Sequence, residues 1–346
     1  MGFTVDKNSK SFSELLLAIE TSCDETAAAV VQNGKNLLSN VVASQIEIHS
    51  KYGGVVPELA SRHHLEAIVP TVSEALDEAG VTMSDIDGIA VTQGPGLVGS
   101  LLVGFSFAKA MAEACDIKLT GVNHIQAHLF SIFLGEDQPD FPFLGLVVSG
   151  GHTSLYMVKS FFSLELIGQT RDDAAGEAFD KVAKILGLAY PGGPVIGQLA
   201  EKGNPEAFSL PRAKLPKTPY DFSFSGLKTA VLTLVKKLSS EPSEIPIPDI
   251  CASFQEAVVD VLVEKSIKAA QDFNLKSIVI AGGVAANSRL RQKMTAACQS
   301  KGIASYFPPV ELCMDNAAMI GIVGHKQLQA GMVLEPDADV YSRLFL

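Results

Sequence analysis

Two histidines four residues apart, His124 and His128 in Asn123-His124-Ile125-Gln126-Ala127-His128-Leu129-Phe130, are the pair in this 346-residue chain best spaced for metal chemistry. On a helix they lie one turn apart on the same face, with Cβ atoms roughly 5–6 Å apart, so both imidazoles can converge on one cation. The same spacing also suits two polar residues on a half-buried helix, and the pair alone does not decide between the two. Comparison with the HExxH metalloproteases fails on chemistry. Those enzymes need a glutamate directly after the first histidine as general base, and Ile125, which accepts no proton, stands there. A third ligand should be a carboxylate or another histidine. Asp315, in Glu311-Leu312-Cys313-Met314-Asp315-Asn316, is selected, although spacing does not single it out among 38 acids. An aspartate beside a helix start also serves as an N-cap. Two histidines and one aspartate leave coordination positions open for phosphate or water. One divalent metal per chain is expected; the residues do not separate Fe(2+), Zn(2+) and Mg(2+), although two imidazoles argue against magnesium alone.

These side chains need a scaffold, and the sequence repeats one. Residues 15–19 read as a short apolar strand, Glu20-Thr21-Ser22-Cys23-Asp24-Glu25-Thr26 as a polar turn, and 27–31 as a second strand. Residues 143–148, the turn Ser149-Gly150-Gly151-His152-Thr153 and residues 154–158 repeat that pattern. Each half then adds a strand, a glycine turn and a helix. Residues 86–91 lead into Gly94-Pro95-Gly96 and an apolar helix, and residues 276–281 lead into Gly282-Gly283 and a helix starting near Asn287. Backbone N–H groups at such helix starts can hold a phosphate. An internal duplication of mixed α/β lobes is expected. The N-terminal lobe spans 14–124 plus about 325–346, and the C-terminal lobe 125–324. A last helix, about 315–330, follows the second lobe and could pack back on the first.

Length points to two packed lobes, and 47% hydrophobic residues are ample for their cores. Five scattered cysteines with no CxxC pair give neither a disulfide framework nor a zinc ribbon, which fits a reducing, cytoplasmic setting. The polar start MGFTVDKNSKSFSE resembles neither a signal nor a transit peptide. The apolar stretch 97–115 carries Lys109 and Glu113 and reads as a buried helix, so no membrane partner is expected. The net charge of −11 disfavours nucleic acid by itself. Between Lys202 and Lys237, however, seven cations (Lys202, Arg212, Lys214, Lys217, Lys228, Lys236, Lys237) outnumber two acids, Glu206 and Asp221. That stretch is either a solvated loop or an anion-facing one.

The segments together resemble the TsaD family, the tRNA N6-adenosine threonylcarbamoyltransferases formerly called O-sialoglycoprotein endopeptidases. The matching stretches are AIETSCDETAAAVV (18–31), GGVVPELASRHHLEAI (53–68), TQGPGLVGSLLVG (92–104), NHIQAHL (123–129), LVVSGGHTSLY (146–156), DDAAGEAFDKVAKILGL (172–188), YPGGP (190–194), FSFSGLKTA (222–230) and IAGGVAANSRLR (280–291). They cover nearly the whole chain from about residue 14 to the end. The resemblance implies an α/β fold of two duplicated actin-like, sugar-kinase-type ATPase (RNase H-like) lobes with the active site in the cleft between them. It implies His124, His128 and Asp315 as metal ligands, in agreement with the histidine spacing. It also implies an adenine nucleotide ligand, threonylcarbamoyl-adenylate or ATP.

For that ligand the resemblance implies contacts from Val147, Val148, Ser149, Gly150, Gly151, Asp180, Gly193 and Asn287. The two adjacent glycines let backbone N–H groups approach phosphate and carbamoyl oxygens; an ordinary hairpin turn would look the same. Asp180 can accept from ribose hydroxyls or simply form the polar face of a helix. Gly193 lets backbone approach the nucleoside or makes a plain turn. Asn287 can read an adenosine or cap a helix. Glu25 and Lys228 are further candidates. Many bacterial relatives carry an acidic residue shortly after the PGGP turn, where this chain reads Val195-Ile196-Gly197-Gln198; with Gly197 at that position, Asp180 or a water must cover the missing contact.

The implied reaction is transfer of threonylcarbamoyl from the adenylate to N6 of the adenosine immediately 3′ of the anticodon, in tRNAs reading codons that begin with A. The implied partners are tRNA, a smaller non-catalytic paralogue subunit (TsaB-like) and a small ATPase (TsaE-like). No residue is identified as a general base, and His152 stands in the right turn for either a catalytic or a structural role. Three rivals remain, each weighed on residues. A sugar or acetate kinase of this fold would need a catalytic acid and sugar pocket in place of the histidine pair. An Fe(II) oxygenase would not need the nucleotide segments, and a non-catalytic scaffold would have lost the ligands.

Overall fold

The computed structural model describes residues 3–5, 15–240 and 245–343. The chain divides into two compact units, Met1–Asp137 with Met314–Leu346, and Gln138–Cys313.

The first unit begins with β1 (Phe3–Val5), then β2 (Leu15–Glu20), β3 (Glu25–Gln32) and β4 (Asn36–Ser44). The short α1 (Ile46–Ser50) and the long α2 (Pro57–Ala79) lead to β5 (Gly88–Gly94), α3 (Val98–Cys115), β6 (Lys118–Asn123) and α4 (His124–Phe130). The sheet order is β4-β3-β2-β5-β6. β2 pairs antiparallel with β3 and parallel with β5. The central strands β2 and β5 are almost continuously buried, as strands covered on both faces must be. β4, at the edge, is exposed or half-buried everywhere but at Ser39. Leu101, Phe105, Ala108 and Ala112 of α3 enter the same core as Leu17, Ile19, Ile89 and Val91. So α3, long and apolar enough by composition to cross a membrane, packs here as a core helix.

The second unit repeats the topology. It contains β7 (Phe143–Val148), β8 (Thr153–Ser160), β9 (Ser163–Gln169), α5 (Ala175–Ile185), α6 (Gly192–Ala200), α7 (Ser225–Leu238), α8 (Ile247–Asp272), β10 (Ser277–Ala281), α9 (Ser288–Ser300) and β11 (Ala304–Tyr306). The sheet order β11-β10-β7-β8-β9 has the same parallel and antiparallel pairings as the first. α8 is buried along most of its length, and Phe254 on it meets Phe179 of α5 edge-on at 5.1 Å between centroids.

The chain then returns to the first unit through α10 (Ala318–Gln329) and β12 (Met332–Leu334), which pairs antiparallel with β1. The boundaries expected at 124/125 and near 324/325 fall at 137/138 and 313/314 instead. The cause is packing. α4 follows β6 directly and sits against α10, and α10 lies on β2, β5 and β6. Gly321 and Gly324 allow that approach, since a Cβ on them would fall 2.5 Å from Val31 Cγ2 and 2.2 Å from Ala90 Cβ.

Candidate functional site

In the first unit the histidine pair is built on α4, a seven-residue helix buried throughout. Asn123 ends β6 and caps α4, its side chain accepting from the N–H groups of Ile125 and Gln126 at 2.9 and 3.1 Å. The i,i+4 spacing brings the two rings to 4.6 Å between centroids. Asp315 reaches them from the turn before α10. Its Oδ1 lies 3.1 Å from His128 Nε2 and 3.7 Å from His124 Nε2. The capping that could have claimed Asp315 is done by its neighbour, since Asn316 Oδ1 accepts from the Met319 N–H at 3.1 Å. One donor atom from each of His124, His128 and Asp315 lies within 4.8 Å of the others.

Sequence reading missed the groups behind the ligands. Glu20, fully buried at the end of β2, faces His124 Nδ1 at 3.0 Å and accepts from Thr92 Oγ1 at 2.6 Å. An ionised carboxylate only accepts, so Nδ1 carries the hydrogen and Nε2 is the side offered to a metal. Ser22 Oγ also stands 3.1 Å from Nδ1, and its backbone N–H donates to Glu20. The available signal was an acid closing an otherwise apolar strand. Burial pushes the Glu20 carboxyl up, but the His124 charge and the bonds from His124 and Thr92 hold it below the usual range. Burial likewise lowers His124, but Glu20 and Asp315 overcome it and raise it to about 9. Glu25, beside Asp24, is driven up to about 10 by burial and by the charges of Asp315 and Asp24. Crowded carboxylates around two imidazoles favour a cation, and His128 Nδ1 is buried without a hydrogen-bond partner among the described residues. The donor set and its surroundings fit a divalent metal.

The remaining candidates, residues 147–151, Asp180, Gly193 and Asn287, all lie in the second unit. Val147 and Val148 end β7 with their side chains in the core, so only their backbone can meet a ligand. The turn after them is closed by Ser149 N–H to the His152 carbonyl at 2.8 Å and His152 N–H to Ser149 Oγ at 3.1 Å. Gly150 and Gly151 are exposed with open space where a Cβ would stand. Gly176, at the start of α5, packs on this turn, where a Cβ would lie 2.6 Å from the Ser149 carbonyl oxygen. Asp180 accepts from the Gly192 N–H at 2.7 Å and so anchors the start of α6. Gly193 follows with open space at its Cβ position. Asn287 does cap α9, with Oδ1 accepting from the Leu290 N–H at 3.0 Å, and its Nδ2 donates to Gln255 on α8 at 2.7 Å. Gln255 was not foreseen. Gly197 stands next to this pair, 3.7 Å from Asn287 Nδ2 to its Cβ position.

The cation-rich stretch is partly spent on structure. Arg212 donates to Asp260 at 2.7 Å, within a network joining Lys293, Glu256 and Arg289. Lys228 lies 3.9 Å from Asp173. Lys202, Lys214, Lys217, Lys236 and Lys237 are exposed.

The sequence model of the family described as TsaD, tRNA N6-adenosine threonylcarbamoyltransferase, matches residues 36–322. Proteins of that name are 54% identical over 329 residues in Syntrophus aciditrophicus (95% of this chain, 97% of that one) and 56% identical over 323 residues in Anaeromyxobacter dehalogenans strain 2CP-C (93% and 96%). Solved structures share the fold. Component A of the Acidaminococcus fermentans (R)-2-hydroxyglutaryl-CoA dehydratase matches with a TM-score of 0.54 at 16% identity, covering 91% of this chain and 99% of that one. HypF of T. kodakarensis gives 0.60 at 15% identity, covering 93% of this chain and 48% of that one. With the family model spanning most of both units, the chain belongs to the TsaD family of tRNA N6-adenosine threonylcarbamoyltransferases.

Proposed function

We propose that this chain transfers the threonylcarbamoyl group of threonylcarbamoyl-adenylate to N6 of the adenosine 3′ of the anticodon, in tRNAs reading codons that begin with A. The family assignment carries this reading. The new bond joins N6 to the carbamoyl carbon, the carbamoyl–phosphate anhydride bond breaks, adenylate leaves and N6 gives up a proton to solvent. An exocyclic amine is a weak nucleophile, so positioning and charge stabilisation supply most of the catalysis. His124, His128 and Asp315 hold one divalent metal, and two imidazoles with one carboxylate favour Fe(2+) over Zn(2+) or Mg(2+). When bound, it neutralises phosphate charge. The backbone of Val147, Val148, Ser149, Gly150 and Gly151 receives phosphate and carbamoyl oxygens. Asp180, Gly193 and Asn287 contact the nucleoside.

The setting proposed is cytoplasmic, with a smaller paralogue and a small ATPase as partners. Exposed Leu65 and Val69 on α2 and Val98 and Leu102 on α3 offer the paralogue an apolar face in the first unit. Exposed Lys214, Lys217, Lys236 and Lys237 offer tRNA its cations.

Reconstitution tests the reading. Supplied with threonylcarbamoyl-adenylate and the partners, the chain should label a tRNA carrying the target adenosine and not one lacking it. Replacing the four lysines with glutamine should weaken tRNA binding and flatten its salt dependence, leaving adenylate binding intact. A mixture that leaves tRNA unlabelled but phosphorylates a sugar or carboxylate would establish the kinase instead.

A further inference from the structure

Asn287 belongs to a run of hydrogen bonds whose polarity can be followed from one end to the other. The Leu290 N–H donates to Asn287 Oδ1, so the opposite face of that amide is Nδ2, a donor only. Nδ2 gives its hydrogen to Gln255 Oε1 at 2.7 Å. Gln255 must then direct its own Nε2, with two N–H bonds, away from Asn287. The residue is 7% exposed, yet Nε2 meets no acceptor among the described residues and is not sealed from solvent. An amide held at one end and open to solvent at the other is free to take a polar partner from outside the protein. Gly197 keeps the approach clear. A Cβ there would stand 3.7 Å from both Asn287 Nδ2 and Gln255 Oε1, so a longer side chain could lie across the pair.

The geometry points to Gln255 as a second nucleoside-recognising residue. Its Oε1 fixes the orientation of Asn287, and its Nε2 donates to an acceptor on the bound nucleoside, a ribose oxygen or an adenine ring nitrogen. The donor character is imposed from the backbone outward by the cap of α9, so the site selects a ligand acceptor at this point. This rests on the proposed contact between Asn287 and the nucleoside.

Gln255→Glu separates the two roles. Glutamate keeps an acceptor for Asn287 Nδ2 and replaces the outward donor with an acceptor. Calorimetry with ATP on the full chain should show affinity falling by about tenfold, the loss of one hydrogen bond to a buried partner, with Tm unchanged. The same titrations with 2′-deoxy-ATP and 3′-deoxy-ATP, and with 1-deaza-, 3-deaza- and 7-deaza-ATP, identify the acceptor. The analogue lacking it should bind the parent more weakly and be indifferent to Gln255→Glu, a coupling that a structural role would not produce. Unchanged ATP affinity in Gln255→Glu overturns the inference, as does an equal loss for every analogue. A parent chain that binds no ATP or adenylate removes the nucleotide site itself, and the inference with it.

Discussion

At the residue scale, the candidate metal centre is built from side chains of unequal visibility in the sequence. His124 and His128 stood out because a helical period places them together, and Asp315 was selected without geometry to prove it. Asn316 takes the capping role and leaves Asp315 to the histidines. Glu20 escaped notice because its partner, His124, is 104 residues away, and no spacing rule reaches that far. Its task gives the first prediction. Glu20→Ala should leave a folded chain whose metal affinity is about 10–100-fold lower, as for other carboxylates behind a ligating histidine. Competition with a calibrated chelator measures it; affinity equal to the parent's would take Glu20 out of the centre.

At the scale of elements, both hairpins, both glycine turns and their following helices were legible, because apolar runs punctuated by Gly and Asp are local signals. The division of the chain was not. Whether α4 joins the preceding or the following sheet depends on α10, nearly two hundred residues later in sequence. The contact is tight enough to test. Gly324→Val should destabilise the chain by about 1–3 kcal/mol, since α10 would be forced off β5, and a denaturant midpoint equal to the parent's would contradict this. In the second unit, Glu256 joins α8 to α9. Hydrogen bonds from Arg289 and Lys293 outweigh its burial and hold its carboxyl down to about 2. A depressed folded value contributes stability above the ordinary carboxylate value, and that contribution disappears as pH falls through about 2. Glu256→Gln should therefore cost about 1–2 kcal/mol at neutral pH, with the gap to the parent closing between pH 4.5 and 2. A pH-independent gap in thermal unfolding would show that the charge is not the cause.

At the scale of the whole molecule, two units share one topology: the first carries the His124–His128–Asp315 cluster, and the second carries the turn, the anchored helix start and the Asn287–Gln255 pair. Assembly is expected through the first unit. Leu65→Glu with Val98→Glu should abolish co-elution with the smaller paralogue while leaving Tm within a degree or so, as exposed sites allow; undiminished co-elution would place the interface elsewhere. The central claim is that His124, His128 and Asp315 hold the metal of this transferase. It is tested most directly by elemental analysis of chain purified without chelator, alongside His124→Ala/His128→Ala. The parent chain should carry about one divalent transition metal, and the folded double variant none. Equal metal content in the two proteins would contradict it.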